Sequence, residues 1–409
     1  MKHPKHTPPS GLLVLILVSL AVACARSAFG LGIALPDHDA FATARGNAFT
    51  ATADNPAAVF YNPAGISQLD GVNFSAGAYG LAYSDFFTSP GGAKFDSRTE
   101  WLATPDIFST ISLGKSHITL GLGAYSPYGL VEEWPGNAPF DPLGRYGSIQ
   151  YLTVNPVVAY QPIPTLSMAI GPTLNYSEAD LRESVGLPYD IHFRGRDEDV
   201  GFNAGILWHP LPEHSFGINY RSETEMDYKG HVTAPAPPPF FPMPVTLPTT
   251  AKFKFPRSVD FGYSFRPTTN WNFEADASWL DWETLNSLNL SGTTLSLPFN
   301  WQSSWMFKFG GTRYFGEGWR VSAGYMYVEN SVRTAYFNPL IPDSDRHIFS
   351  VGIGKRYNKL SWDVAYQFAW GPSRDVSGDT LVVAPAPSPA NGKYEFISHA
   401  ITVNVGYHF

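Results

Sequence analysis

The chain has 409 residues, 15% aromatic and only 15% charged, with a formal net charge of −8. That balance offers no electrostatic footprint for nucleic acid, and charged content well below the roughly 25% of soluble domains argues against an ordinary soluble protein. The single cysteine, Cys24, excludes an intrachain disulfide framework.

In chain order, Lys2, His3 and Lys5 precede an apolar run from Leu12 to Ala23. About a dozen apolar residues after a basic start match a secretory signal peptide better than a membrane span. Ala23-Cys24-Ala25 or Ala28-Phe29-Gly30 supplies small residues for cleavage, so the mature chain is expected to start near Leu31. Two alternatives stay open. The run could remain as an uncleaved anchor, or "AVAC" could serve as a lipidation box at Cys24. Otherwise Cys24 leaves with the leader, and the mature protein has no thiol and no thiolate metal ligand.

Residues 31–70 are Ala-rich and do not alternate. They carry Asn-Pro-Ala twice, at Asn55-Pro56-Ala57 and Asn62-Pro63-Ala64, around the apolar Ala58-Val59-Phe60-Tyr61. Asn-Pro marks a chain reversal, yet the stretch between the copies is apolar enough to be buried.

From residue 72 onward the apolar period is two, which is strand geometry. In "LSWDVAYQFAW", Leu360, Trp362, Val364, Tyr366, Phe368 and Trp370 share one face, and Ser361, Asp363 and Gln367 the other. "NWNFEADASW" separates Trp271, Phe273 and Trp279 from Asn272, Glu274, Asp276 and Ser278. The apolar faces are long and end in aromatics, while the opposite faces are small and polar. A soluble sandwich would turn the apolar face to a core. A membrane barrel turns it to lipid, with aromatic girdles and a polar lumen, and only a closed barrel satisfies a sheet's backbone in lipid. Short turns fall near Gly114–Ser116, Gln161–Thr165, His209–Glu213, Pro267–Asn270, Phe315–Gly318 and Tyr357–Lys359. Longer connections are expected near 84–100, 126–146, 183–198, 230–250, 284–302, 329–346 and 371–395. The spacing predicts an all-β, transmembrane antiparallel barrel of about fourteen strands. Two Pro-rich stretches, "APAPPPFFPMP" and "APAPSPA", read as stiff surface loops.

Arg221, Asp260, Glu274, Asp276, Lys308, Arg320, Arg356 and Asp363 fall on polar faces. They read as ion pairs across the wall. Eleven histidines are scattered with no His-Glu-x-x-His spacing, and no nucleophile-elbow pattern occurs, so neither metal site, cofactor nor enzyme is expected. A barrel hydrolase assembled from distant loop residues remains the enzymatic alternative.

The chain ends in "ITVNVGYHF", with Ile401, Val403, Val405, Tyr407 and Phe409 alternating. This terminal strand resembles the signal read by the outer-membrane barrel assembly machinery. "ARGNAFTATADNPAAVFYNPAG", "YSPYGLVEEW", "SIQYLTVNPVVAY", "INYRSETEMDYKG", "EADASWLDWETL" and "IPDSDRHIFSVGIGKRY" together resemble the FadL family of outer-membrane long-chain fatty acid transporters. The resemblance implies a leader at 1–30, a hatch inside the lumen at 31–70 and a barrel at 71–409. It also implies a monomer in the outer membrane. A ligand would land on an apolar outer groove, move to a pocket, and leave sideways into the membrane after the hatch rearranges. The exit is expected beside a kinked third strand, "HITLGLGAYSPYGL", where Gly121, Gly123 and Pro127 suit a bend or break in pairing. Asn62, Pro63 and Ala64 match the family's hatch tripeptide, with Asn55 and Pro56 as the second copy. Arg182, Arg221 and Arg346 are candidates for the ligand carboxylate. Aromatic hydrocarbons are the alternative cargo, and a non-transport adhesive barrel is the alternative role.

Overall fold

The computed structural model describes residues 33–183, 191–235, 244–291, 296–378 and 388–409. The leader, Cys24 and most of the two Pro-rich stretches lie outside the described residues. Fourteen antiparallel staves close into one barrel. They are β1 (Val72–Thr88), β2 (Glu100–Ser112), β3 (Ile118–Tyr125, continued by Gly129–Glu133), β4 (Tyr146–Ile163), β5 (Leu166–Glu183), β6 (Ile191–Leu211) and β7 (His214–Arg221, continued by Thr224–Pro235). The remainder are β8 (Pro244–Phe255, continued by Ser258–Thr268), β9 (Trp271–Leu280), β10 (Ser304–Tyr314), β11 (Trp319–Val328), β12 (Arg346–Tyr357), β13 (Leu360–Val376) and β14 (Gly392–His408). The sheet closes where β1 pairs with β14, from Asn73↔His408 to Thr88↔Lys393.

The alternation in the sequence becomes the two faces of the wall. Along β13, Val364 and Tyr366 point outward while Asp363, Ala365 and Gln367 are buried inside. Along β9, Phe273 faces out and Asn272, Glu274, Asp276 and Ser278 face in. Ile401, Val403, Val405, Tyr407 and Phe409 all face out. An apolar exterior with a polar interior is what lipid outside and a filled lumen inside demand.

Several staves run further than the alternation suggests. Residues 191–198, expected in a connection, belong to β6, and the β7–β8 ladder continues to Pro235↔Pro244. The outward residues of 191–198 are charged, and 230–235 with 244–248 are rich in Pro and Thr, so the apolar period is lost. Cross-strand ion pairs replace it: Arg194 meets Glu178 at 2.5 Å and Lys252 meets Glu225 at 3.1 Å. Opposite charges facing each other across a ladder support it as apolar pairs do.

The other end holds short turns, and the long connections fold inward over the lumen. There Tyr83, Phe87, Trp134, Phe140, Phe253, Trp282, Trp301, Phe337 and Tyr394 form one large buried apolar cluster. Beneath it sits the N-terminal segment. It contains α1 (Ala40–Ala44), α2 (Ala58–Tyr61) and a 3-10 turn, Pro63–Gln68. Phe41, Phe49, Val59, Tyr61, Ala64 and Ile66 pack there against Phe108, Tyr125, Val157 and Leu207 of the wall.

Cysteine labelling checks the facing of the wall. Cysteines at Val364 and Tyr366 are expected to react only with membrane-partitioning reagents. A cysteine at Ser361, which lines the open mouth at the short-turn end, should react with a charged aqueous maleimide. Equal aqueous labelling of all three would contradict the barrel.

Candidate functional site

The hatch is seated on two inward carboxylates of β9. Glu274 accepts backbone N–H bonds from Ala51 at 2.6 Å and Thr52 at 3.0 Å. Asp276 accepts from Phe49 and Thr50, both at 2.9 Å. Arg45 reaches Glu274 at 3.2 Å and Thr312 at 2.9 Å, with both charged partners fully buried. A buried pair of this kind holds only while both members and their hydrogen bonds are present. Further ties complete the seat: Gln367 donates to Asp37 at 3.0 Å, the Ala40 amide to Asn404 at 2.6 Å, and Asn203 to the Val59 carbonyl at 3.0 Å. The wall charges therefore hold the hatch as well as each other, which the reading of wall-to-wall ion pairs missed. Of the polar-face charges named from the sequence, Lys308–Asp260 at 3.5 Å and Arg320–Asp363 pair with each other.

Both Asn-Pro pairs shape the chain and bind it. Asn62 is fully buried and caps the 3-10 turn by accepting from the Ala64 amide at 3.2 Å. It donates to the Thr50 carbonyl of the hatch at 2.8 Å and the Ile206 carbonyl of β6 at 3.0 Å. Pro63 opens the 3-10 turn, where its missing N–H costs nothing. The pair lies against Gly205, whose hypothetical Cβ would sit 2.2 Å from Asn62 Oδ1. Asn55 accepts from the Ala57 amide at 2.9 Å and donates to Asp39 at 3.0 Å, while Pro56 lines the short-turn mouth.

The third stave breaks. Ile118–Tyr125 pairs with β2 from Ser112↔Thr119 to Ile107↔Ala124, and there the pairing stops. After Ser126-Pro127-Tyr128 the stave resumes as Gly129–Glu133, which pairs with β4 only. Glu100–Asp106 of β2 thus has ladder partners in β1 and none in β3. At ~3.3 Å per residue this leaves a slit about 23 Å long in the wall. Pro127 sits at the break, and its missing N–H denies β2 a bond there. Gly121 and Gly123 lie in the paired half below. Their missing side chains make room for the hatch: a Cβ would come within 2.9 Å of Val59 and Ile66 at Gly121, and 3.0 Å of Val59 and Phe108 at Gly123. The outer end of the slit closes where the Arg98 amide donates to the Glu133 carbonyl at 2.9 Å.

Three cavities among the described residues touch the hatch. One of about 190 Å³ lies beside Thr52, Gln68 and Arg266. A small one, about 50 Å³, lies against the break between Leu35, Phe60, Tyr61, Pro127, Tyr128, Leu280 and Met306. Its polar floor is Arg221, Ser258, Asp260 and Lys308. A larger one, about 830 Å³, opens at the short-turn end. It is lined by charges, among them Asp39, Asp54, Asp70, Arg266, Arg320, Arg356, Lys359 and Asp363.

The three candidate arginines separate. Arg221 alone lines the inner cavity, with its guanidinium 4.3 Å from the Phe60 ring centre and a bond to the Phe60 carbonyl at 3.2 Å. Arg182 lies half-exposed at the outer rim, paired with Asp180 at 3.2 Å. Arg346 is buried in the upper cluster, 3.8 Å from Asp343 and 3.7 Å from the Phe396 ring centre. Sequence reasoning missed Arg45, Glu274 and Asp276 as a unit, and missed His38 and Asp106; it placed Lys308 on a polar face without placing it at a cavity. One signal was available: Arg45 is the only Arg or Lys in residues 31–70, and a lone cation in an enclosed segment needs an anion on the wall.

Burial pulls the His38 imidazole down to about 3, so it is neutral at ordinary pH. No group of metal-ligating side chains occurs among the described residues.

A closed lipid-facing barrel, a seated hatch and a broken third stave define an outer-membrane transport barrel. The family model "Outer membrane protein transport protein (OMPP1/FadL/TodX)" matches residues 21–409. The chain is similar to the long-chain fatty acid transport protein of Escherichia coli strain CFT073, 23% identical over 370 residues, 78% of this chain and 82% of that one. Its fold is similar to a Pseudomonas aeruginosa FadL homologue, with TM-score 0.80 and 17% identity over 92% of this chain and 100% of that one. It is likewise similar to the P. putida toluene transporter TodX, with TM-score 0.73 and 17% identity over 92% and 99%. The chain belongs to the FadL/TodX family: it is an outer-membrane transporter of hydrophobic compounds and not an enzyme.

Removing the seat should free the hatch and spare the wall. In Glu274→Gln, amide exchange at Ala51 and Thr52 is expected to accelerate at least about a hundredfold. That corresponds to roughly 3 kcal/mol for breaking a buried pair. Exchange in the β13–β14 ladder should not change. Unchanged exchange at Ala51 and Thr52 would show that the hatch is held by packing alone.

Proposed function

We propose that the protein takes up long-chain fatty acids, binding them above the hatch and releasing them sideways into the membrane through the slit between β2 and β3. The observation that carries this reading is the unpaired Glu100–Asp106 edge, which lies beside an apolar compartment. An acyl chain loses about 0.8 kcal/mol per CH₂ on returning to water. The route straight down crosses the charged mouth at the periplasmic end, with four aspartates and four cations around it. The route sideways keeps the chain in apolar surroundings. The same cost makes the outward-facing lipid the natural acceptor.

Arg221 and Lys308 lie on the floor of the inner cavity with Asp260 as their nearby carboxylate. That leaves one positive charge in excess, which suits a carboxylate ligand. The curated relatives named as long-chain fatty acid transport proteins favour the same cargo. A second reading is uptake of aromatic hydrocarbons. It is favoured by the aromatic wall of the inner cavity, Phe60, Tyr61 and Tyr128, and by the likeness to toluene transporters.

Hatch movement has to precede either route, because the cavity in this state is far smaller than an acyl chain. Uptake of labelled oleate and labelled toluene, in a host lacking its own transporter, separates the cargoes. The wild type is expected to carry oleate, and Lys308→Met to carry it about tenfold more slowly through loss of a charged hydrogen bond. Toluene flux should be the same in both. A wild type that moves toluene and no oleate would overturn the fatty acid reading.

A further inference from the structure

Ile33–Leu35 occupies the edge of the third stave that β2 abandons. Ala34 bridges Tyr128 in antiparallel fashion, the Leu35 amide donates to the Pro127 carbonyl at 2.8 Å, and the Gly129 amide donates to the Ile33 carbonyl at 2.8 Å. The chain then crosses toward β2 through Pro36 and Asp37. It arrives at His38, whose Nδ1 lies 2.8 Å from Oδ1 of Asp106. Asp106 is the last unpaired residue of β2 before the ladder resumes at Ile107↔Ala124. Residues 33–38 therefore span the slit from inside, tied to β3 by backbone, to β2 by one side-chain contact, and to β13 through Asp37 and Gln367.

We infer that His38 is the positioning residue that keeps this segment drawn across the slit, and that its hydrogen bond to Asp106 is the latch released during transport. The inference rests on the lateral-exit reading above, but the latch and the exit can fail separately.

Three features single out this contact. Both partners are buried, at 0% and 1% side-chain exposure, so water does not compete for the bond. Each keeps a second polar atom, His38 Nε2 and Asp106 Oδ2, without a partner among the described residues. A buried polar pair with unsatisfied atoms is poor design for a static wall, since each orphan costs free energy that an apolar pair would avoid. Moreover, the other hatch ties described above go to β6, β7, β9, β10, β13 and β14, whereas the side-chain tie to β2 is this one. Loss of the seat on β9 would free the middle of the hatch. Loss of His38–Asp106 would free only the piece across the slit.

The ring has a second job. It packs edge-on against Phe60 at 4.1 Å and beside Tyr125 at 5.4 Å, and its backbone N–H donates to Tyr61 Oη at 3.0 Å. These contacts fix where the imidazole sits when latched. They also give a clean substitution, because a phenyl ring can keep the packing and lose the bond.

The test is amide exchange at Leu35 and Gly129 in the full-length protein in lipid, with oleate uptake measured in parallel. His38→Phe and Asp106→Leu are each expected to speed exchange at Leu35 and Gly129 about tenfold, the scale of one hydrogen bond. The double variant should be no faster than the singles. Asp106→Asn, which preserves a bond to Nδ1, should stay within about twofold of wild type. Exchange at Ala51 and Thr52, on the β9 seat, should not move. Unchanged exchange at Leu35 and Gly129 in His38→Phe, or additive effects in the double variant, would overturn the latch. If exchange rises as expected and oleate uptake does not change, the latch stands and the lateral-exit reading falls.

Discussion

In a bilayer every backbone N–H and C=O must find a partner, and this barrel leaves one edge of seven residues of β2 without a ladder, the other edge being paired with β1. The rest of the architecture is arranged around that exception. Pro127, which has no N–H to give, stands at the break in the third stave. The Arg98–Glu133 backbone bond limits it at the outer end, and the Ile107↔Ala124 pair limits it below. The hatch covers it from inside. A wall that has to open sideways for an apolar cargo needs such a defect, and a wall that holds water and ions back needs the defect covered.

Covering it requires a segment that is firmly seated yet able to shift. The two demands fall on different residues. Firm seating comes from Glu274 and Asp276, which take four backbone amides and Arg45 between them in a site from which water is excluded. The Asn62-Pro63-Ala64 turn fixes the far end of the hatch on β6, because Asn62 joins the Thr50 and Ile206 carbonyls in one residue. The piece from Ile33 to His38 is held by other contacts: backbone bonds to the third stave, Asp37 with Asn47 and Gln367, Tyr61 with Pro36 and the His38 amide, and His38 with Asp106. It is the part of the hatch whose displacement would uncover the slit without unseating the remainder. Stability and gating can then vary independently.

Much of this was legible before any coordinates. The period of two in segments such as Leu360–Trp370 placed the faces of the wall, since a one-residue slip would put Asp363 in lipid. The short turns and the Asn-Pro reversals were equally plain. What could not be read were contacts between distant segments. Arg45 and Glu274 are 229 positions apart, and nothing local links them. The apolar period does not reach the extensions of β6 to β8, because charged residues replace it in 191–198 and Pro and Thr replace it in 230–250. Gly121 and Gly123 looked like marks of a break, but a glycine that bends a strand and one that admits a neighbour's side chain are the same letter; Val59 and Ile66 tell them apart. Among the arginines, sequence had no means of ranking Arg221 over Arg182, because depth in the lumen depends on where each stave leaves the membrane.

Where the cargo goes decides the account. A photoreactive oleate analogue, activated during uptake and followed by mass spectrometry of the adducts, reads that path directly. Adducts are expected on the free edge of β2, at Ala103 to Pro105, and none at Trp319 or Lys359 around the periplasmic mouth. Adducts confined to the mouth, with the β2 edge clean, would contradict a lateral exit.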